Sequence, residues 1–202
     1  MSNLNNALLD VRKAYRFLAD YQQRIWELLS FIREELGAKQ YYQYYRNRLP
    51  RDLKQLDSNL DAGERFLPFN DLSVLWLVNQ DQEDPVHNHQ KGDLLIDVWV
   101  RSDTGNGEND EALKLVEQSQ SELRIYFFQC IQPKCGSHNW FYAVWERTDY
   151  PPLGEVQVCD DNAGYRAYGE AIPLEKLIDE AAVRDAITAL RHRASLKLDQ
   201  QI

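Results

Sequence analysis

The strongest pattern in the chain is a seam of residues at alternating steps of four and three near the N-terminus. The seam consists of Leu4, Leu8, Val11, Tyr15, Leu18, Gln22, Ile25, Leu29, Ile32 and Leu36, and Gln22 is its one polar member. Such steps place side chains along one face of an α-helix, and Gly37 suits the residue that follows a helix end. The pattern predicts a helix from Leu4 to Leu36. This helix has more apolar surface than one small domain normally covers.

The apolar stripe of this helix is wider than the seam of a two-stranded coiled coil. Residues beside the seam include Ala7, Ala14, Phe17, Tyr21, Trp26, Leu28 and Phe31. A wide stripe is typical of a helix that packs on a sheet or in a bundle. We therefore expect one side of the helix to pack on the chain's own sheet, and we expect the surplus apolar surface to meet a partner. Gln22 would then set the register of an oligomer or mark the point where the helix leaves the core.

The next segment, 38–60, is predicted to be a second helix with a kink at Leu49-Pro50, because a residue before proline avoids helical geometry. It opens with an aromatic and basic run in which the tyrosines cannot all be buried on one helix face. Tyr and Arg are frequent anchors of protein interfaces. The predicted interface residues are Leu8, Tyr15, Gln22, Trp26, Tyr41, Tyr44, Tyr45, Arg46 and Arg48. Because Tyr and Arg also stack on bases and bind phosphates, residues 39–54 are an alternative site for nucleic acid.

From Leu72 onward the apolar pattern becomes that of strands. Strands are predicted over Leu72–Val78, Asp93–Arg101, Glu122–Gln132, Asn139–Arg147, Glu155–Cys159 and Tyr165–Ile172. Most of them follow one another through short connections, which favours antiparallel pairing. A short helix is predicted within Asp110–Ser119, and a last helix from about Pro173 to Leu196.

Together these elements predict an α+β fold. It has a long N-terminal helix, a kinked second helix, a mainly antiparallel sheet of about six strands, and a C-terminal helix that packs on the sheet. Residues 1–60 form the predicted helical arm, and residues 61–202 form the α+β domain. We expect the two to be one continuous folding unit. The length of 202 residues and the 44% of hydrophobic residues are those of a globular protein.

Charge divides the chain unevenly. The net charge is −9, yet residues 1–54 carry ten Lys and Arg against six Asp and Glu. The acidic remainder weakens attraction to nucleic acid, so a protein partner or a homo-oligomer is favoured over a nucleic acid. The three cysteines do not suggest a disulfide framework, which predicts a cytoplasmic protein. Neither a membrane span nor a signal peptide is predicted.

One candidate metal site is the set Cys130, Cys135 and His138, with Cys159, His87 or His89 as a possible fourth ligand. Thiolate and imidazole are the ligands that zinc prefers. The spacing is not that of a standard zinc knuckle, and the alternative is that these are core and loop residues without metal. No cofactor other than this possible zinc is predicted.

A second candidate site is a set of acidic residues, Asp93, Asp97 and Glu146. If they converged at one strand end, they could hold a divalent cation beside a phosphate, as in metal-dependent hydrolases and nucleases. His87 and His89 offer another pair of metal ligands in an acidic loop. A buried or solvated structural role is the alternative for each of these residues.

Familiar catalytic motifs are lacking, including the phosphate-binding glycine loops and the H-E-x-x-H zinc motif. The sequence therefore favours a non-catalytic, cytoplasmic interaction module, such as an accessory, adaptor, inhibitor or immunity-type subunit. It would self-associate or dock through its N-terminal helices. The alternatives are a metal-dependent hydrolase or nuclease that uses Asp93, Asp97 and Glu146, and a nucleic-acid-binding protein that uses residues 39–54.

Overall fold

The part of the chain that the structure describes contains two α-helices and six strands. A computed structural model describes residues 2–45, 71–105, 115–136, 138–159 and 164–202. The helices are α1, Ser2–Glu35, and α2, Glu180–Lys197. The strands are β1, Lys39–Tyr45; β2, Asp71–Val78; β3, Leu94–Arg101; β4, Glu122–Cys130; β5, Val156–Val158; and β6, Tyr165–Pro173.

The strands form one antiparallel sheet in the order β1-β2-β3-β4-β6-β5. Because side chains alternate across a strand, β3 sends Leu94, Ile96 and Val98 to one face of the sheet and its odd-numbered residues to the other. Both faces are buried. This arrangement confirms the predicted α+β fold with an N-terminal helix, an antiparallel sheet and a C-terminal helix.

The two helices cover the first face of the sheet. Helix α1 contributes its second half, through Ile25, Leu29, Ile32 and Leu36, and α2 contributes Val183, Ile187, Leu190 and Ala194. The helices also contact each other at Glu35, whose carboxylate lies 3.0 Å from Nε of Arg184. The core of this face therefore includes residues from both ends of the chain.

Loops and short helical turns cover the second face. A π-helix, Trp140–Val144, and a 3-10 turn, Trp145–Arg147, lie where a strand over Asn139–Arg147 was predicted, so that prediction is wrong. The side chain of Asn139 explains the difference, because it accepts hydrogen bonds from the backbone N–H groups of Phe141 and Tyr142 and so starts a helical turn. The aromatic residues of this segment suggested a strand. Its buried rings fill this face, but the backbone that carries them is helical.

Residues 39–45 were predicted to be helical and are the edge strand β1 instead. Gly37, with a φ of 60°, ends α1 and turns the chain directly into this strand. Tyrosine is compatible with a strand, and pairing with β2 decides the conformation of this segment. Within the described residues the sheet has six strands, as expected, because β1 replaces the strand predicted at 139–147. The predicted kink at Leu49-Pro50 and the helix beyond it lie outside the described residues.

The remaining boundaries agree with the prediction except at the last helix. Pro173 ends β6 instead of starting α2, and Asp179 caps α2 by accepting a hydrogen bond from the backbone N–H of Ala182. Ile178, just before α2, is 80% exposed. A 3-10 turn, Val116–Gln118, lies within the short helix predicted at Asp110–Ser119, whose first five residues lie outside the described part of the chain.

Candidate functional site

The seam of α1 is divided into a buried part and an exposed part. From Ile25 onward its members are buried in the core, and Ile25 itself is only 3% exposed. Four seam members nearer the N-terminus are exposed to solvent: Leu4 by 66%, Leu8 by 46%, Val11 by 48% and Tyr15 by 71%. Residues 4–20, in which only Leu18 is half-buried, are called the exposed half of α1 below. One continuous seam thus meets the chain's own sheet at one end and solvent at the other.

Tyr21 and Gln22 mark the boundary between the two parts. Tyr21 packs against the core, and its hydroxyl donates a hydrogen bond of 2.9 Å to Oγ of Ser102. Gln22, the polar seam member, is half-buried at the same level. The structure therefore places Gln22 where the helix leaves the core, one of the two roles considered from the sequence.

The predicted interface residues do not share one surface. Leu8 and Tyr15 lie on the exposed half of α1, whereas Trp26, 56% exposed, lies on the flank of the buried half. Tyr41 and Tyr44 are half-buried against the second sheet face, where the Tyr41 hydroxyl donates a 3.0 Å hydrogen bond to Asn139. Tyr45 is 40% exposed at the sheet edge. Arg46 and Arg48 lie outside the described residues. Leu4 and Val11 belong to the same seam and are also exposed, although they were not among the predicted interface residues.

A small apolar groove lies beside the buried half of α1. It has a volume of about 210 Å³ and is lined by Trp26, Leu29, Tyr45, Leu72, Val74 and Trp76, together with the more polar Ser30, Arg33, Gln40 and Gln43. Gln40 accepts a hydrogen bond of 3.0 Å from the indole of Trp76 at its floor. The exposed rings of Trp26 and Tyr45 border the groove, so these two predicted interface residues share a surface that is separate from the exposed half of α1.

The candidate acidic residues do not converge. Asp97 is fully buried under the π-helix segment, where its Oδ2 accepts hydrogen bonds from Trp145 (2.7 Å), Tyr150 and Ser73 (3.4 Å). Asp93 is 1% exposed and lies four residues away along the chain, which is about 13 Å in a strand. Its carboxylate accepts hydrogen bonds from the backbone of Gln80 and Gln90. Glu146 is exposed. The two buried acids therefore anchor separate segments of the second face.

The predicted zinc ligands are not assembled either. Cys130 lies in the core, and its thiol donates a hydrogen bond of 3.2 Å to the carbonyl of Gln132. Burial raises the pKa of this thiol to about 11, which disfavours the thiolate that zinc would need. Cys135 is exposed, and the side chain of His87 pairs with Asp84 at 3.0 Å. Across the described parts of the chain, no group of three or more His, Cys, Asp or Glu side chains is arranged to hold a metal ion.

His89 is a structural residue of the second face. It is fully buried and stacks on Trp140 with ring centroids 3.9 Å apart. Its Nδ1 lies 2.6 Å from the Tyr165 hydroxyl and its Nε2 lies 3.0 Å from the Val86 carbonyl. In the neutral ring, Nε2 donates to Val86 and Nδ1 accepts from Tyr165. Burial lowers the pKa of His89 to about 4, so the ring stays neutral near pH 7.

Acid is expected to destabilise the fold through His89. Its pKa falls from 6.5 to about 4 on folding, so the unfolded chain binds the proton more tightly. The stabilisation from the neutral ring is fully present above pH 6.5 and decreases as the pH falls towards 4, by up to about 3 kcal/mol. Urea unfolding of the parent and of His89→Gln between pH 7 and pH 4 tests this. The variant should be less stable at pH 7 but lose less stability on acidification, and equal losses would contradict the assignment.

A cleft of about 780 Å³ is lined in part by polar groups that hydrogen-bond to one another. Nε of Arg166 donates to Oε1 of Gln129 at 2.5 Å, and Gln129 donates to Gln200. Gln200 donates to the carbonyl of Gly92 at 2.6 Å. These contacts fasten the segment after α2 to β4 and β6. The polar side chains of this cleft therefore have structural partners, and they do not form a set that suggests catalysis.

None of the described helices is long and apolar enough to cross a membrane.

The profile of the PM0109 family matches residues 1–199 of the chain. A curated relative, the uncharacterized protein PM0109 of Pasteurella multocida (strain Pm70), is 39% identical over 207 residues, and the alignment covers 100% of this chain and 98% of the relative. No solved structure matches the chain with significance. The extent of the profile match and the full-length relative show that the chain belongs to the PM0109 family.

Proposed function

We propose that this protein is a non-catalytic, cytoplasmic protein-interaction module that self-associates through the exposed half of α1. The observation that supports the proposal is the change of burial along one seam, from Ile25 at 3% exposed to Tyr15 at 71% exposed. Large apolar side chains in one contiguous row on a surface are typical of an interaction site. Most of the stability of a protein helix comes from packing of its apolar face, and in the exposed half of α1 that face is open to solvent.

The energy of burial is of the right size for a reversible complex. Five seam residues, Leu4, Leu8, Val11, Tyr15 and Leu18, are exposed or half-buried in each copy. Covering them in two copies stabilises a dimer by on the order of 10 kcal/mol, at about 1 kcal/mol for each partly exposed side chain. Association itself costs about 4–15 kcal/mol in lost freedom of motion. We therefore expect a dimer that dissociates on dilution.

The charge of the exposed half favours a protein partner of the same kind. Arg12, Lys13 and Arg16 outnumber its acids, Asp10 and Asp20, while residues 55–202 carry a net charge of −13. The basic helix of one copy and the acidic body of the other therefore attract each other at long range, which favours their encounter. Cys130, Cys135 and Cys159 form no disulfide bond in the described part of the chain, which supports the proposed cytoplasmic location.

Replacing Leu8 by glutamate is expected to weaken self-association by about a hundredfold, because a charge would enter the apolar seam. Leu9 provides the matched control, since it is the next residue, is equally apolar and is 44% exposed, but lies off the seam. Leu9→Glu should therefore retain the parent's dimerisation. Sedimentation equilibrium over a range of concentrations measures both variants.

Circular dichroism establishes whether each variant retains its helix before association is compared. A parent protein that is monomeric at every concentration would contradict the proposal. Equal weakening by Leu8→Glu and Leu9→Glu would show that general surface hydrophobicity, and not the seam, drives association.

A further inference from the structure

We propose that two copies pair antiparallel through the exposed halves of α1, with Leu8 of one copy opposite the partner's Leu18. This inference rests on the self-association proposed above and adds its geometry. It follows from the way in which the chain's own sheet occupies one end of the seam.

A parallel pair is sterically excluded. From Ile25 to Leu36 the seam faces the chain's own sheet, and these side chains are 0–7% exposed. In a parallel pair the partner's helix would continue along the same seam and would enter the space that the sheet occupies. In an antiparallel pair the partner's helix starts beside Gln22, where the sheet ends, and runs away from the sheet.

The length of the exposed part fits this arrangement. Residues 4–22 span about 27 Å of helix. Two such segments laid antiparallel match end to end, with Leu4 opposite the partner's Gln22, Leu8 opposite the partner's Leu18, and Val11 opposite the partner's Tyr15. One two-fold axis relates the copies, so both contribute the same surface.

The residues beside the seam are compatible with this register. Ala14 lies next to the partner's Ala14, and these small side chains allow the two helices to approach closely. Arg12 lies near the partner's Arg12, on the other side of the seam. This pair of like charges is exposed to solvent, and it weakens the dimer by about twofold.

Cysteine crosslinking tests the geometry with a matched pair of sites. Ala7 and Ala14 are both exposed alanines one heptad apart on the same side of the seam. In the antiparallel register Ala14 lies beside the partner's Ala14, whereas the two copies of Ala7 are separated by twelve residues along the axis, about 18 Å. Ala7→Cys, Ala14→Cys and Leu8→Cys are prepared with Cys135→Ser, which removes the exposed native thiol. Each is treated with a short bis-maleimide, and the mass is measured by light scattering.

We expect a dimeric mass and efficient crosslinking of Ala14→Cys, with essentially none for Ala7→Cys or Leu8→Cys. A dimer in which Leu8→Cys links to its own copy would overturn the antiparallel register in favour of a parallel one. Equal crosslinking of Ala7→Cys and Ala14→Cys would also overturn the register, while self-association would stand. A monomeric mass without crosslinks would overturn the proposed function and this inference together.

Discussion

Replacing Asp97 with alanine is expected to destabilise the fold by about 3–5 kcal/mol. Asp97 is fully buried in β3, and its Oδ2 accepts hydrogen bonds from the indole of Trp145 and the hydroxyl of Tyr150. Without this oxygen, the Trp145 and Tyr150 donors lose the acceptor that they bond in the native protein. It also opens a cavity beneath the π-helix segment. Chemical denaturation measures the change as a shift in the free energy of unfolding.

Two further variants isolate the cause. Asp97→Asn keeps a side-chain oxygen of the same reach and should lose about half as much stability. Glu146→Ala removes an exposed acid from the neighbouring turn and should change stability by less than about 0.5 kcal/mol. A tolerated Asp97→Ala would contradict the structural role of this acid.

Replacing Gly169 with alanine is expected to destabilise the protein by about 3 kcal/mol. Gly169 lies in β6 directly opposite Tyr126 of β4. A Cβ atom at this glycine would lie 2.1 Å from Cδ1 of the Tyr126 ring, closer than two carbon atoms can approach. Tyr126 is 2% exposed, and its ring packs against Tyr150 with centroids 4.3 Å apart, so it has no open space to move into. Thermal unfolding of the variant should show a clear fall in Tm.

A double-mutant cycle tests whether the Tyr126 ring is responsible. In a Tyr126→Ala background, which is itself destabilised, the additional cost of Gly169→Ala should almost disappear. Ala171→Gly serves as the control on β6, since Ala171 lies two residues further along the strand on the same face as Gly169 and already carries a Cβ atom, and this variant should cost only about 1 kcal/mol. An undiminished cost of Gly169→Ala in the Tyr126→Ala background would point to the backbone instead of the ring.

The elements that were predicted correctly are those with a strong local pattern. Helix α1 has a seam that repeats over its whole length, and β3 alternates cleanly between its two faces. The segment 39–45 carries tyrosines that are compatible with either state, and its strand form comes from pairing with β2, which the sequence does not reveal locally. The π-helix at Trp140 has buried rings like those of a strand, and only the capping contact of Asn139 distinguishes it.

The candidate site was predictable in part. The repeat from Leu4 to Leu36 indicated surplus apolar surface, but the repeat is equally regular on both sides of the boundary with the sheet. Gln22 was the only local sign of that boundary. The acids failed as a site for a different reason: Asp93 and Asp97 are close in sequence, yet Asp93 is bonded by the preceding loop at Gln80 and Gln90, whereas Asp97 is bonded by the distant Tyr150. Burial and long-range partners decide such cases, and a single sequence does not contain them.

The turn at Gly37 joins α1 to β1 through only three residues, and the second half of α1 is packed on the sheet, so the exposed half has a fixed direction relative to the sheet. In an antiparallel pair the two buried halves start at Ile25 in each copy, about 36 Å apart along the helix axis. The paired helices would then act as a spacer of fixed length. It would set both the separation and the relative orientation of the two sheets, and anything bound to both bodies would have to fit that distance.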